Sequence, residues 1–321
     1  MENALTKRDH GFDNIKFLLI ILVVFGHVIE EISLKGGLGL LRALIYSFHM
    51  PLFVFISGYF SKLSKNRTKR ALSDYLIPFF IFNTLFALMV FKTYKINIFL
   101  PHYAFWYLFS LFIWSISIDQ ISRVRFIIVL SFLLGLYCGV FPEIDRLVAL
   151  SRTICFLPFF ILGYKLRKEH IEKLRSVKKL IPVALFALSL TATAIMNKKG
   201  IIHVKMYEMI QSYNSTGVDN WSGIKQRLII YILATVMIFS VISAVSDKEY
   251  RFTKLGTRTV CVYIFSSFII RILFDIIKKY GFSFADKSIF IQLGFALALT
   301  AAITALTGNK IIYNAYVRFT G

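Results

Sequence analysis

The chain has 321 residues, 57% of them hydrophobic, 16% aromatic and 17% charged, with a mean hydropathy of +0.68 and a net charge of +21. Soluble domains run near about 45–50% apolar and about 25% charged. The composition therefore excludes a soluble enzyme, a disordered tail protein and a disulfide-rich secreted domain, and points to a polytopic helical membrane protein. In such a protein the basic excess reads as positive-inside loops and contact with anionic membrane lipids rather than as a nucleic-acid surface.

The first twelve residues are polar, and the apolar run 15–32 has no small-x-small cleavage site after it. The first segment is therefore expected to stay in the membrane as a helix. Apolar windows, each near the roughly 20 residues that a span requires, follow at 13–33, 38–60, 75–91, 103–119, 126–142, 147–165, 180–196, 228–245, 259–277 and 288–307. The expectation is an all-α transmembrane bundle of about ten helices forming a single domain over 1–321. The longest loop, 197–227, is too short for a domain but long enough for a lid or a re-entrant element. Alternate loops carry 22 and 13 Lys and Arg, with Lys16, Arg152 and Arg271 inside windows. That bias places both termini in the cytoplasm. The three cysteines, Cys138, Cys155 and Cys261, lie far apart in apolar runs and read as packing residues.

Ionisable groups inside spans are costly, so each is a functional candidate. The first window holds Asp13, Lys16, His27, Glu30 and Glu31. At 100° per residue, Lys16 and His27 fall within about 20° of each other, and the set forms one polar stripe along the helix. Glu30, three residues on, can orient the His27 imidazole. His49 begins the returning segment, with Pro51 able to kink it, and counting inward from each helix end puts His27 and His49 at similar depth. Two imidazoles at one depth suit proton transfer. There is no i,i+4 histidine pair, and no metal is expected. The loop 61–70 holds Lys62, Lys65, Arg67, Lys69 and Arg70, either simple positive-inside charge or an anion site, since guanidinium groups bind phosphate bidentately. Trp106 and Tyr107 open the fourth window and suit either sugar stacking or an interfacial aromatic belt. Arg152 lies early in the sixth window. Arg271 lies deep in the ninth, with Asp275 at i+4 as a structural partner.

Taken together, Phe12-Asp13-Asn14-Ile15-Lys16 running to Phe25-Gly26-His27, Ser47-Phe48-His49-Met50-Pro51-Leu52-Phe53 with Ile56-Ser57-Gly58-Tyr59, Arg67-Thr68-Lys69-Arg70, Phe105-Trp106-Tyr107-Leu108, and Ser151-Arg152-Thr153 with Leu162-Gly163-Tyr164 resemble the acyltransferase 3 family of integral-membrane acyltransferases, in particular its fucose 4-O-acetylase-like branch. The resemblance implies acetyl transfer from acetyl-CoA to a hydroxyl of an envelope glycan or its lipid-linked precursor, in a bacterial cell membrane. It maps the family's basic residue and histidine of the first helix onto Lys16 and His27, and its RxxR pair onto Arg67 and Arg70. Lys16 departs from the usual Arg, keeping charge but losing the bidentate fork. A histidine often found on a late helix is absent, its place falling in Tyr263-Ile264-Phe265-Ser266.

The residues agree with that chemistry. An anionic donor needs a cationic site, and a neutral imidazole can take the proton of an attacking hydroxyl or carry the acyl group itself. The candidate set is therefore His27, Glu30 and His49 for catalysis, Lys16, Arg67 and Arg70 for acetyl-CoA, and Arg152, Trp106 and Tyr107 for the acceptor. The competing reading is a transporter or flippase of a lipid-linked glycan. It lacks support from repeated halves or matched broken helices.

Overall fold

The structure is a computed structural model and describes residues 8–62, 66–92, 99–144, 149–284 and 287–320. Lys65, counted above in the cationic loop, and the start of the window 147–165 lie outside the described residues, as does Lys7 of the charge count.

Every element among the described residues is helical. The longer ones, in chain order, are α1 (His10–Ile32), α2 (Gly36–Tyr46), α3 (His49–Ser61), α4 (Arg67–Ala71) running through a π turn at Leu72–Leu76 into α5 (Ile77–Met89), α6 (Trp106–Ile121), α7 (Ile127–Cys138), α8 (Leu150–Lys165), α9 (Lys168–Ser176), α10 (Leu180–Lys198), α11 (Asn220–Ala244), α12 (Thr259–Lys279), α13 (Ile289–Thr307) and α14 (Lys310–Thr320). Each of the ten apolar windows overlaps at least one helix among the described residues. Six helical stretches are long and apolar enough to cross a membrane: Gly36–Ser61, Arg67–Met89, Leu180–Lys198, Asn220–Ala244, Thr259–Lys279 and Ile289–Thr307. The window 38–60 is broken at Ser47–Phe48, where α2 ends and α3 begins. Pro51 sits in the first turn of α3, where its missing N–H costs no helical bond, so it starts this helix rather than kinking it.

α1 lies in the middle of the bundle and packs against α2, α3, α11, α12 and α13. Its polar N-terminal turn is satisfied from outside the helix. Asn14 donates to the carbonyls of Ser246 and Lys248, both at 2.9 Å, and accepts from the Thr253 hydroxyl at 2.6 Å. That anchors the loop before α12 to the start of α1. The tightest pairing is α3 against α8. A Cβ placed on Gly58 would collide with the Phe160 carbonyl, and one on Gly163 with the Phe55 carbonyl. Two glycines facing opposite backbones allow this contact, as small residues do at membrane helix interfaces.

The expected 197–227 loop is shortened to 199–219, because α11 already begins at Asn220, and it folds back onto the bundle through two short 3₁₀ turns, Val204–Glu208 and Asn214–Thr216. Met206, Tyr207, Met209 and Tyr213 on it are buried. Ser151 of α8 donates to the Met209 carbonyl at 2.9 Å, and Met209 takes a left-handed backbone conformation (φ 56°) that reverses the chain just after Glu208.

Candidate functional site

His27 lies near the end of α1 opposite to Lys16 and lines a cavity of about 370 Å³. Its Nδ1 is 3.7 Å from a Glu30 carboxylate oxygen. That is ion-pair range rather than a hydrogen bond, and one turn of helix sets it. Glu30 is held from α2: Tyr46 donates to it at 3.0 Å and Arg42 at 3.2 Å. The segment before α6 covers the histidine from the other side. Asn83 of α5 donates to the Leu100 carbonyl at 3.0 Å and accepts from the His102 N–H at 2.8 Å. With that segment pinned, the Tyr103 ring packs 4.6 Å from the His27 ring.

His49 lines the same cavity and is buried. Its Nδ1 donates to the Ile45 carbonyl at 2.8 Å, across the break between α2 and α3. In a neutral imidazole a proton fixed on Nδ1 leaves Nε2 as the acceptor. The sequence expectation that the two histidines sit at one depth thus corresponds to two rings on the wall of one cavity.

Arg152 reaches this cavity from the first turn of α8. Its Nε donates to the Glu208 carbonyl at 3.1 Å, and its guanidinium lies over the Trp106 ring, 4.8 Å from the centroid. Trp106 stacks on Phe156 at 5.3 Å and is itself buried, so it belongs to the interior rather than to an interfacial belt. Its neighbour Tyr107 keeps edge contact with it, ring centroids 5.9 Å apart, but lines a different cavity. Successive helix residues point about 100° apart, and Tyr107 lines a second cavity of about 170 Å³, where it shares a 2.7 Å hydrogen bond with Ser57.

That second cavity is mostly apolar, with Ile20, Phe53, Leu108 and Leu111 on its wall. Val23, Met50 and Tyr263 line both it and the histidine cavity. At its other end Lys16, Ile56, Ser57 and Tyr75 are shared with a third cavity of about 290 Å³, which also contains Arg67, Arg70 and Asp74. Shared wall residues therefore place the three cavities in succession between the cationic edge and His27. At 1.5 Å per residue, Lys16 and His27 are about 16 Å apart along α1.

The cations at that edge are not equivalent. Lys16 pairs with Asp13 at 2.7 Å, which also takes a 2.7 Å bond from Arg8. Arg67 donates to the Ser61 carbonyl at 3.1 Å and pairs with Asp119 of α6. Among the described residues Arg70 has no ion pair. The deep arginine of α12 also differs from expectation. Arg271 pairs with Glu31 of α1, which Lys278 also contacts at 2.8 Å, so the expected Asp275 partner is replaced by one across the helix interface. Glu31 is thereby withdrawn from the His27 site.

Sequence reasoning missed Arg42 and Glu208. Arg42 is 4% exposed and donates through one nitrogen to Glu30 and, at 2.6 Å, to Glu208. It carries the signal that singled out Lys16, a charge within an apolar window, but it lies near the window's start and was counted with the outer loops. Glu208 has no local signal, because its partner is 166 residues away.

A model of the acyltransferase domain of the acyltransferase 3 family matches residues 9–309. Nodulation protein NolL of Sinorhizobium fredii (strain NBRC 101917 / NGR234) is 40% identical over 80 residues, covering 23% of this chain and 22% of that protein. Nodulation protein NolL of Mesorhizobium japonicum (strain LMG 29417 / CECT 9101 / MAFF 303099) is 45% identical over 58 residues, 17% of this chain and 16% of that protein. The aligned parts thus span about a fifth of these relatives' length. No solved structure matches. With nearly its whole length matched by the family model, and with a helical bundle containing six stretches able to cross a membrane, this chain belongs to the acyltransferase 3 family.

Proposed function

We propose that the protein is an O-acetyltransferase of the fucose 4-O-acetylase-like branch. It takes an acetyl group from cytosolic acetyl-CoA and places it on a hydroxyl of an envelope glycan or its lipid-linked precursor. The observation that carries this reading is the series of three cavities from Arg67, Arg70 and Lys16 to His27. Its cationic end suits phosphates. Its apolar middle section, about 170 Å³, suits a thin pantetheine arm, while a sugar fits the larger histidine cavity of about 370 Å³.

In this reading the acceptor hydroxyl lies against Trp106 and Arg152 and loses its proton to His27 Nε2 as its oxygen attacks the thioester carbonyl. Glu30 faces the developing imidazolium, a stabilisation available only once the ring is charged. The tetrahedral intermediate collapses with loss of the CoA thiolate, which takes the proton from His27. The products are the acetyl ester and free CoA. His49, with its tautomer set by Ile45, is a second acceptor on the same wall. The alternative course, an acetyl-histidine, uses the same nitrogen as nucleophile.

The test is thioester consumption by purified full-length protein given acetyl-CoA and total envelope glycolipid. Wild-type protein is expected to release CoA and acetylate the glycolipid. Absence of CoA release, with ordered protein and glycolipid transport into vesicles instead, overturns the enzyme reading.

A further inference from the structure

Two arginines from different helices meet at one residue of the folded-back loop. Arg42 of α2 donates to the Glu208 carboxylate at 2.6 Å, and Arg152 of α8 donates to the Glu208 carbonyl at 3.1 Å. Each guanidinium lies over an aromatic ring, Arg42 over Tyr46 at 4.6 Å and Arg152 over Trp106 at 4.8 Å. Such stacking fixes the fork before anything binds. Both arginines line the histidine cavity. Among the described residues, Arg152 has no carboxylate partner within ion-pair range. Glu30 and Glu208 balance the two cations, so displacing the Glu208 carboxylate leaves the cavity one positive charge in excess.

We infer that Arg42 and Arg152 form an oxyanion subsite beside His27, that the carboxylate of Glu208 fills its Arg42 half from within the chain, and that the acceptor displaces this carboxylate with a phosphate or carboxylate group of its own near the acylated hydroxyl. The inference rests on the acceptor's binding in this cavity, as proposed above. An anionic group in the fork exchanges one charge-assisted contact for another, so it gains entry at little net electrostatic cost. A neutral glycan would have to leave the Glu208 contact in place or strand Arg42 without it. The loop then moves with acceptor binding, because Glu208 is its link to α2.

Binding to full-length protein in detergent tests this with two anion–neutral pairs, farnesyl phosphate against farnesol and galacturonate against galactose. At least one anion is expected to bind roughly tenfold or more tightly than its neutral counterpart, the size of one charge-assisted contact. The pair that shows the difference distinguishes a carrier phosphate from a sugar carboxylate. Glu208→Gln removes the competing carboxylate charge and is expected to tighten that anion by roughly tenfold, a gain that misfolding cannot imitate. Arg152→Gln is expected to weaken it by a similar factor. Equal binding of anion and neutral partner in both pairs overturns the subsite, as does unchanged or weaker anion binding in Glu208→Gln. Acetyl-CoA affinity is measured on the same samples. Its absence in the wild type would sink the donor reading above while leaving the anion pattern interpretable.

Discussion

At the scale of single residues, the site separates groups by what already holds them. His27 has a carboxylate at 3.7 Å and Nδ1 without a hydrogen-bond partner among the described residues. His27→Ala is expected to lower kcat by roughly 10²–10⁴-fold if the ring acts as general base, with acetyl-CoA binding retained. Acid quench of wild-type protein after brief exposure to labelled acetyl-CoA decides between base and carrier, since label retained on His27 marks the acyl-histidine. At the cationic edge the two arginines should behave differently. Arg70→Ala loses a charge-assisted contact of about 1.5–3 kcal/mol, seen as a rise in the KM for acetyl-CoA without a change in melting temperature. Arg67→Ala also breaks the bond to the Ser61 carbonyl and the Asp119 pair, so it should lower the melting temperature as well. Unchanged KM in both variants places the phosphates elsewhere.

At the scale of elements, the crossing of α3 and α8 decides the geometry of the site. It sets Ser57 of α3 against Tyr107 of α6 and brings Arg152 of α8 to the histidine cavity. Gly58→Ala or Gly163→Ala forces backbones apart and is expected to destabilise the bundle by about 1–3 kcal/mol, read as a lower melting temperature in detergent. Because the shift passes to both ends of α8, activity should fall further than stability alone explains at temperatures below the transition. A variant as stable and active as wild type would show that the two helices have room to spare. The apolar middle cavity offers a separate test. Val23→Phe adds bulk to the wall shared by the apolar middle cavity and the histidine cavity. It should lower kcat/KM for acetyl-CoA while leaving acceptor binding intact.

At the scale of the whole molecule, the proposed reaction has donor and acceptor at opposite ends of the cavity series. The charge bias of the loops predicts a cytoplasmic cationic cavity, and the other two cavities follow it in succession through shared walls. In sealed vesicles of known orientation, acetyl-CoA on the cytoplasmic side should support acetylation of an acceptor confined to the opposite face. Acetylation only when both substrates share one side would overturn this arrangement.

Composition and periodicity alone determined much of this protein. The excess of apolar residues makes a helical bundle the only way to satisfy the backbone away from water without a closed barrel. The cost of charge in apolar windows marked Lys16, His27, His49 and Arg152 before any contact was known. Those signals are local, a residue type read against its neighbours along the chain. Only the tertiary structure decided the partners. Arg271 found Glu31 on another helix instead of Asp275 one turn away, Trp106 and Tyr107 parted into two cavities, and Glu208 joined the site from an irregular loop. Such pairings join positions far apart in sequence. They depend on how α2, α3 and α8 cross, and side-chain packing at glycine contacts sets that crossing rather than any pattern along one helix.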